Sequence, residues 1–135
     1  MSPHIVVVED DAVNGRMFRV VLERRGGMRV TVTEDPEELF ELARGGDVAA
    51  VVMDISLHDS RWQGRPVNGL DLCRLLKSDP ATARIPVLLA TAHAMRGDDR
   101  RFLEESGAED YVSKPVVDHA AFVAQIRRWL PAEAA

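Results

Sequence analysis

The chain has 135 residues, 46% of them hydrophobic and 29% charged, with a formal net charge of −5, which describes one domain with its own core and leaves no room for a second. An excess of 22 acidic over 17 basic residues argues against autonomous nucleic-acid binding, and a single cysteine, Cys73, excludes an intramolecular disulfide and fits a reducing, cytoplasmic compartment. No apolar run approaches the roughly 18 residues of a membrane span, and Met1-Ser2-Pro3-His4 does not open a secretory signal.

Five short apolar or β-branched runs punctuate the chain and predict strands at Ile5–Val8, Met28–Val32, Val48–Met53, Pro86–Ala90 and Asp110–Val112. Between and after them apolar residues recur at helical spacing. The first such stripe is Val13, Met17, Val20 and Val21, the second Leu39, Leu42 and Ala43, and the third Leu72, Leu75 and Leu76. Phe102 and Leu103 mark the fourth helix; Phe122, Ile126 and Leu130 mark the fifth. Asp35-Pro36-Glu37-Glu38 offers an N-cap, a first-turn proline and an acid three residues on. Gly26-Gly27, Gly45-Gly46 and Gly107 stand where helices should stop.

Strands alternating with helices imply parallel pairing, because each crossover needs a helix. The architecture that follows is an α/β, flavodoxin-like, doubly wound sheet of five parallel strands in the order 2-1-3-4-5 with five helices. It forms a single domain across residues 1–135, its core running from His4 to Leu130. Function in such a sheet gathers outside the carboxyl ends of the strands. There the first strand meets Glu9-Asp10-Asp11, the third Asp54, the fourth Thr91 and the fifth Ser113-Lys114-Pro115. Each residue alone has an ordinary use as a turn, cap or β-former; their convergence on one edge does not. Clustered carboxylates require a cation or a shared proton, and oxygen ligands without thiol or imidazole favour Mg²⁺. Thr91 adds a hydroxyl and Lys114 a mobile ammonium, both suited to a phosphoryl group.

The chain resembles the receiver domains of two-component response regulators, most of all the stand-alone type. The matching stretches are Ile5-Val6-Val7-Val8-Glu9-Asp10, Val51-Val52-Met53-Asp54-Ile55, Leu88-Leu89-Ala90-Thr91-Ala92 and Gly107-Ala108-Glu109-Asp110-Tyr111-Val112-Ser113-Lys114-Pro115. The segment from Ala92 through His93 to Asp98 also looks like stand-alone and hybrid-kinase receivers. By that resemblance Asp54 is the phosphoacceptor, charged from a sensor histidine kinase or a histidine phosphotransfer protein. Glu9, Asp10, Asp54 and the backbone carbonyl of Ser56 would hold Mg²⁺, while Thr91 and Lys114 would bind the phosphoryl oxygens. The resemblance further implies a switch through Thr91 and Tyr111, a cis bond before Pro115, and output to a downstream protein on the face of the fourth helix, fifth strand and fifth helix. Such a protein is a switch, capable at most of self-phosphorylation and self-dephosphorylation, and not an enzyme. Nothing follows the fifth helix but Pro131-Ala132-Glu133-Ala134-Ala135, so no output domain is expected.

Two departures stand out. His58 occupies the place, four residues after Asp54, where the family usually has proline. The loop from Leu57 to Val67 is longer than usual by roughly seven residues and carries Trp62 between Arg61 and Arg65; either the tryptophan folds back on the domain or the cluster meets a partner. Asp11 is ambiguous between the acidic group and a cap for the first helix. Ser56 and His93 stand where the family tunes dephosphorylation. Trp129 belongs either to the output face or to the core, and Cys73 reads as a small buried hydrophobe. Arg100–Glu104 and Arg101–Glu105 have helical pair spacing, which favours a solvated face over a basic patch. The alternative function is a Mg²⁺-dependent aspartyl-nucleophile phosphohydrolase, which would want an acid where Ser56 stands.

Overall fold

The computed structural model describes residues 2–92 and 98–130, with only the backbone of residues 98 and 99; the expectations that rest on His93 and Arg96 lie outside them. Strands β1 (His4–Val8), β2 (Arg29–Thr33), β3 (Val48–Asp54), β6 (Val87–Thr91) and β7 (Asp110–Ser113) form one parallel sheet in the order β2-β1-β3-β6-β7. This is the expected 2-1-3-4-5 topology. A two-residue hairpin, β4 (Arg61–Trp62) and β5 (Arg65–Pro66), accounts for the two extra strands. The helices are α1 (Ala12–Arg24), α2 (Pro36–Arg44), α3 (Gly69–Ser78), α4 (Asp98–Ser106) and α5 (His119–Trp129). Among the described residues, no helix is long and apolar enough to cross a membrane.

The alternation of side chains along each strand splits the core in two. Ile5, Val7, Val52, Leu88 and Ala90 meet Phe18 and Leu22 of α1 and Phe122 and Ile126 of α5. Val6, Val8, Val51, Met53 and Leu89 meet Leu39 of α2 and Leu72 and Leu76 of α3. The central strands are buried except at His4 and Ala49, which are partly so, because both faces are covered. Edge strand β2, with the sequence Arg-Val-Thr-Val-Thr, is only partly buried. Asp11 caps α1, Asp35 caps α2 ahead of Pro36, and Asp118 caps α5. Asn68 and Asp71 form a reciprocal capping box on α3.

The stripe read for the first helix is displaced. Val13 is 76% exposed and Val20 36%, whereas Gly15, Phe18, Val21 and Leu22 are buried. The cause is a close approach that valine periodicity cannot reveal: a Cβ on Gly15 would lie 2.9 Å from Val32 Cγ1. Glycine therefore turns that face, and Phe18 with it, towards the sheet. A similar shift puts Phe40 in the core, with Leu42 only partly buried. Phe40 then seats the inserted loop, with the Trp62 ring 4.5 Å from its own at a tilt of 54°. The hairpin turns on Gln63 (φ 53) and Gly64 (φ 81), two successive left-handed residues, as a tight two-residue turn requires. The tryptophan thus folds back on the domain.

Gly69 makes the tightest approach. A Cβ there would stand 2.0 Å from the carbonyl oxygen of Asp54 and 2.9 Å from Ile55 Cα, and its N–H donates to the Ile55 carbonyl. These neighbours are backbone and cannot rotate away. Gly69→Ala is expected to cost about 3 kcal/mol, the upper part of the usual overpacking range; denaturant unfolding measures it, and a cost below about 0.5 kcal/mol would contradict this packing.

Candidate functional site

The register carries the acidic residues to one edge. Val8 pairs with Met53 across β1 and β3, so Glu9 and Asp10 leave β1 beside Asp54 at the end of β3. Asp54 pairs with Ala90 on β6, and Thr91, one residue on, pairs with Ser113 of β7. The N–H of Lys114 donates to the Thr91 carbonyl at 2.9 Å, which sets the lysine beside the threonine. The Lys114–Pro115 bond is cis. Parallel strands in this register deliver five chain-distant residues to one end of the sheet.

Glu9, Asp10 and Asp54 each offer a carboxylate oxygen, all within 4.8 Å of one another. They line a cleft of about 460 Å³ together with Ser56, His58 and Lys114. Lys114 Nζ lies 3.0 Å from Asp54 Oδ1 and 3.1 Å from Glu9 Oε1. The Ser56 N–H donates to Asp54 Oδ1 at 3.0 Å, the Asp11 N–H to Glu9 Oε2 at 3.2 Å and the His58 N–H to Asp10 Oδ2 at 2.9 Å. The Asp11 side chain itself caps Val13 N and so serves the helix. Thr91 is buried at the last position of β6, one residue after Ala90, the partner of Asp54. Tyr111 is half-buried on the opposite face from α1, against the α2–α3 core.

The electrostatics follow from crowding. Burial pushes Glu9 up to about 7, and the neighbouring Asp54 carboxylate adds to the rise, while the Asp11 N–H and Lys114 oppose it. Burial also works against the charge of Lys114, but its bonds to Asp54 and Glu9 outweigh that and hold it above its ordinary value. One ammonium faces three carboxylates. The donor set is all oxygen, and the unbalanced negative charge fits a hard divalent cation such as Mg²⁺.

Elsewhere Trp129 donates to Asp110 Oδ2 at 3.0 Å and packs on the core, so it is tied to β7. Cys73 is fully buried, its thiol pushed up to about 11 by desolvation. Arg101 pairs with Glu105 at 3.0 Å. Sequence reasoning missed two contributors. Gly69 underlies the backbone of Asp54, and only its place as the first residue of a helix hinted at a close approach. The His58 N–H holds Asp10, and no side-chain signal could have shown it.

Fold and edge together define a flavodoxin-like α/β domain with an acidic, cation-compatible site at its strand ends. The chain belongs to the response regulator receiver domain family, whose model matches residues 5–127, and it is a receiver domain of two-component signalling. It is 34% identical over 116 residues to the polar-differentiation response regulator DivK of Brucella abortus, covering 86% of this chain and 87% of that protein. DivK of Brucella anthropi matches over the same extent at the same identity. Among solved structures, the receiver domain of sensor histidine kinase PA1611 from Pseudomonas aeruginosa PAO1 is 28% identical with a TM-score of 0.77, covering 96% of this chain and 98% of that one. That structure has a magnesium ion coordinated in its active-site cleft. The chemotaxis protein CheY4 of Vibrio cholerae shares the fold at 15% identity and a TM-score of 0.79, with 96% and 100% coverage.

Because Glu9 is raised from 4.5 to about 7, the folded state binds more protons than the unfolded between those values. Its contribution to stability is therefore complete below pH 4.5 and is lost as pH rises through about 7. In protein freed of divalent cations, thermal unfolding midpoints should fall over this window, and Glu9→Gln should flatten the fall. An unchanged pH slope in the variant would exclude Glu9 as its source.

Proposed function

We propose that Asp54 accepts a phosphoryl group from a phosphohistidine of a sensor histidine kinase or histidine phosphotransfer protein, and that the acyl phosphate signals by altering protein contacts. The observation that carries this reading is the placement of Lys114 Nζ at 3.0 Å from Asp54 Oδ1 and 3.1 Å from Glu9 Oε1, within a cleft whose three carboxylates lie within 4.8 Å of one another. Glu9, Asp10, Asp54 and the Ser56 carbonyl are the groups that would hold Mg²⁺. When bound, the ion offsets the repulsion between this acidic edge and the incoming phosphoryl oxygens.

The chain's own residues perform the rest. An Asp54 carboxylate oxygen forms the new O–P bond as the donor's N–P bond breaks, and the electron pair leaves with the imidazole nitrogen. The Ser56 N–H and Lys114 hold Asp54 Oδ1 and so orient the carboxylate before attack. Lys114 can then turn its ammonium to the phosphoryl oxygens, and Thr91 can donate its hydroxyl to one of them. Since Lys114 N is bonded to Thr91 O, β6 and β7 respond together. Tyr111, on β7 and half-buried, is placed to change rotamer with them, and α4, β7 and α5 form the face offered to the downstream protein.

The alignment with the response regulator DivK along 87% of its length supports reading residues 1–135 as a single receiver unit that acts as a switch rather than as an enzyme. The hydrolase reading is not favoured, because Ser56, two residues after the nucleophile, offers no carboxyl group to act as general acid.

With Mg²⁺ and a small phosphodonor, intact-mass measurement should register one added phosphoryl group, absent in Asp54→Asn; labelling that survives this substitution rejects Asp54. In Lys114→Ala, phosphorylation should no longer change affinity for the downstream partner, as read by titration calorimetry. Retention of the full change would remove Lys114 from the switch.

A further inference from the structure

We infer that the peptide N–H of His58 is a positioning group for the Asp10 carboxylate, and through it for the divalent cation assigned above to Glu9, Asp10 and Asp54. The inference rests on that assignment. The three acids are not equally secured. Glu9 is held by the Asp11 N–H and by Lys114, and Asp54 by the Ser56 N–H and by Lys114. For Asp10, among the described residues, the bond from His58 N to Oδ2 at 2.9 Å is what holds the carboxylate. Without it a partly exposed aspartate would sample several rotamers, and the ion would have to order it on arrival.

The donor is itself fixed. Leu57, the residue before it, is buried at 7% exposure. Ser60 Oγ donates to the Glu34 carbonyl, and Val67 N donates to the Ser60 carbonyl. Trp62 sits on Phe40 of α2. The inserted segment is thus pinned at several points, and it presents one backbone N–H to the cleft. The imidazole of His58 is exposed and makes no hydrogen bond or ion pair among the described residues, so the effect belongs to the backbone. A proline at this position could not donate. The departure at position 58 therefore adds a hydrogen-bond donor to the cation site, which the usual family residue cannot supply.

The test compares His58→Ala, which keeps the N–H, with His58→Pro, which removes it. Mg²⁺ is titrated into the full ¹⁵N-labelled chain without phosphodonor, followed by amide chemical shifts, and ion-free unfolding midpoints are recorded alongside. His58→Ala should bind Mg²⁺ within about twofold of the wild type and His58→Pro about tenfold more weakly, the loss typical when a metal ligand loses its hydrogen-bond partner. Equal affinity in wild type and His58→Pro would overturn the inference, as would an equal loss in both variants, which would point to the ring. No Mg²⁺ binding by the wild type would overturn the cation assignment itself and the inference with it.

Should His58→Pro fail to fold, amide exchange decides. The His58 amide should be protected in the wild type and exchange about tenfold faster in Asp10→Ala. An amide that is unprotected from the start, or unaffected by that substitution, overturns the inference.

Discussion

Among the described residues, a close group of three carboxylates and the ammonium of Lys114 meet in a single cleft, and that imbalance governs the site. With Glu9, Asp10 and Asp54 within 4.8 Å of one another, each pair of like charges costs at least about 3.5 kcal/mol at an effective dielectric near 20. Lys114, in contact with Asp54 and Glu9, offsets part of this repulsion but cannot cancel it. Burial, with the neighbouring Asp54 carboxylate adding to it, raises the proton affinity of Glu9. A cleft that holds on to a proton near neutrality is one that an oxygen-seeking cation can enter by displacing it. The same surplus of negative charge repels anions in general.

The rest of the fold holds this imbalance in place. Burial on both faces fixes β1, β3 and β6, so the residues that follow them cannot spread apart. Gly69 lets α3 begin directly against the backbone of Asp54, and the hydrogen bond between Lys114 and Thr91 joins the ends of β6 and β7. The His58 N–H, in the loop ahead of the hairpin, reaches Asp10 from a segment that lies outside the sheet. Trp62, tilted against Phe40, seats the inserted hairpin on α2 and stands apart from the cleft.

Likeness to DivK and to the PA1611 receiver agrees with membership of the receiver domain family. Burial is graded across the sheet. The central strands are sealed, whereas β7 is an edge strand with a half-buried Tyr111 and an exposed Ser113. An edge with incomplete cover has room for alternative rotamers, which a packed central strand lacks. Trp129 limits this freedom at one end of β7 through its bond to Asp110.

The alternation of apolar strands with amphipathic helices was legible in the chain, because periodicity and capping are local properties: Asp35-Pro36 and the glycines after the helices mark their own positions. Glu9, Asp10, Asp54, Thr91 and Lys114 were also legible, because a parallel sheet leaves strand ends only one edge on which to meet. Three-dimensional packing decided the rest. The buried face of α1 follows from the approach of Gly15 to Val32, the seat of Trp62 from the inward turn of Phe40, and the anchoring of Asp10 from a peptide N–H 48 residues away. Each of these is a contact between segments distant in the chain. Two of them rest on the backbone, one on an amide hydrogen that every residue but proline carries and one on the Cβ that only glycine lacks, so apolar periodicity could not report them.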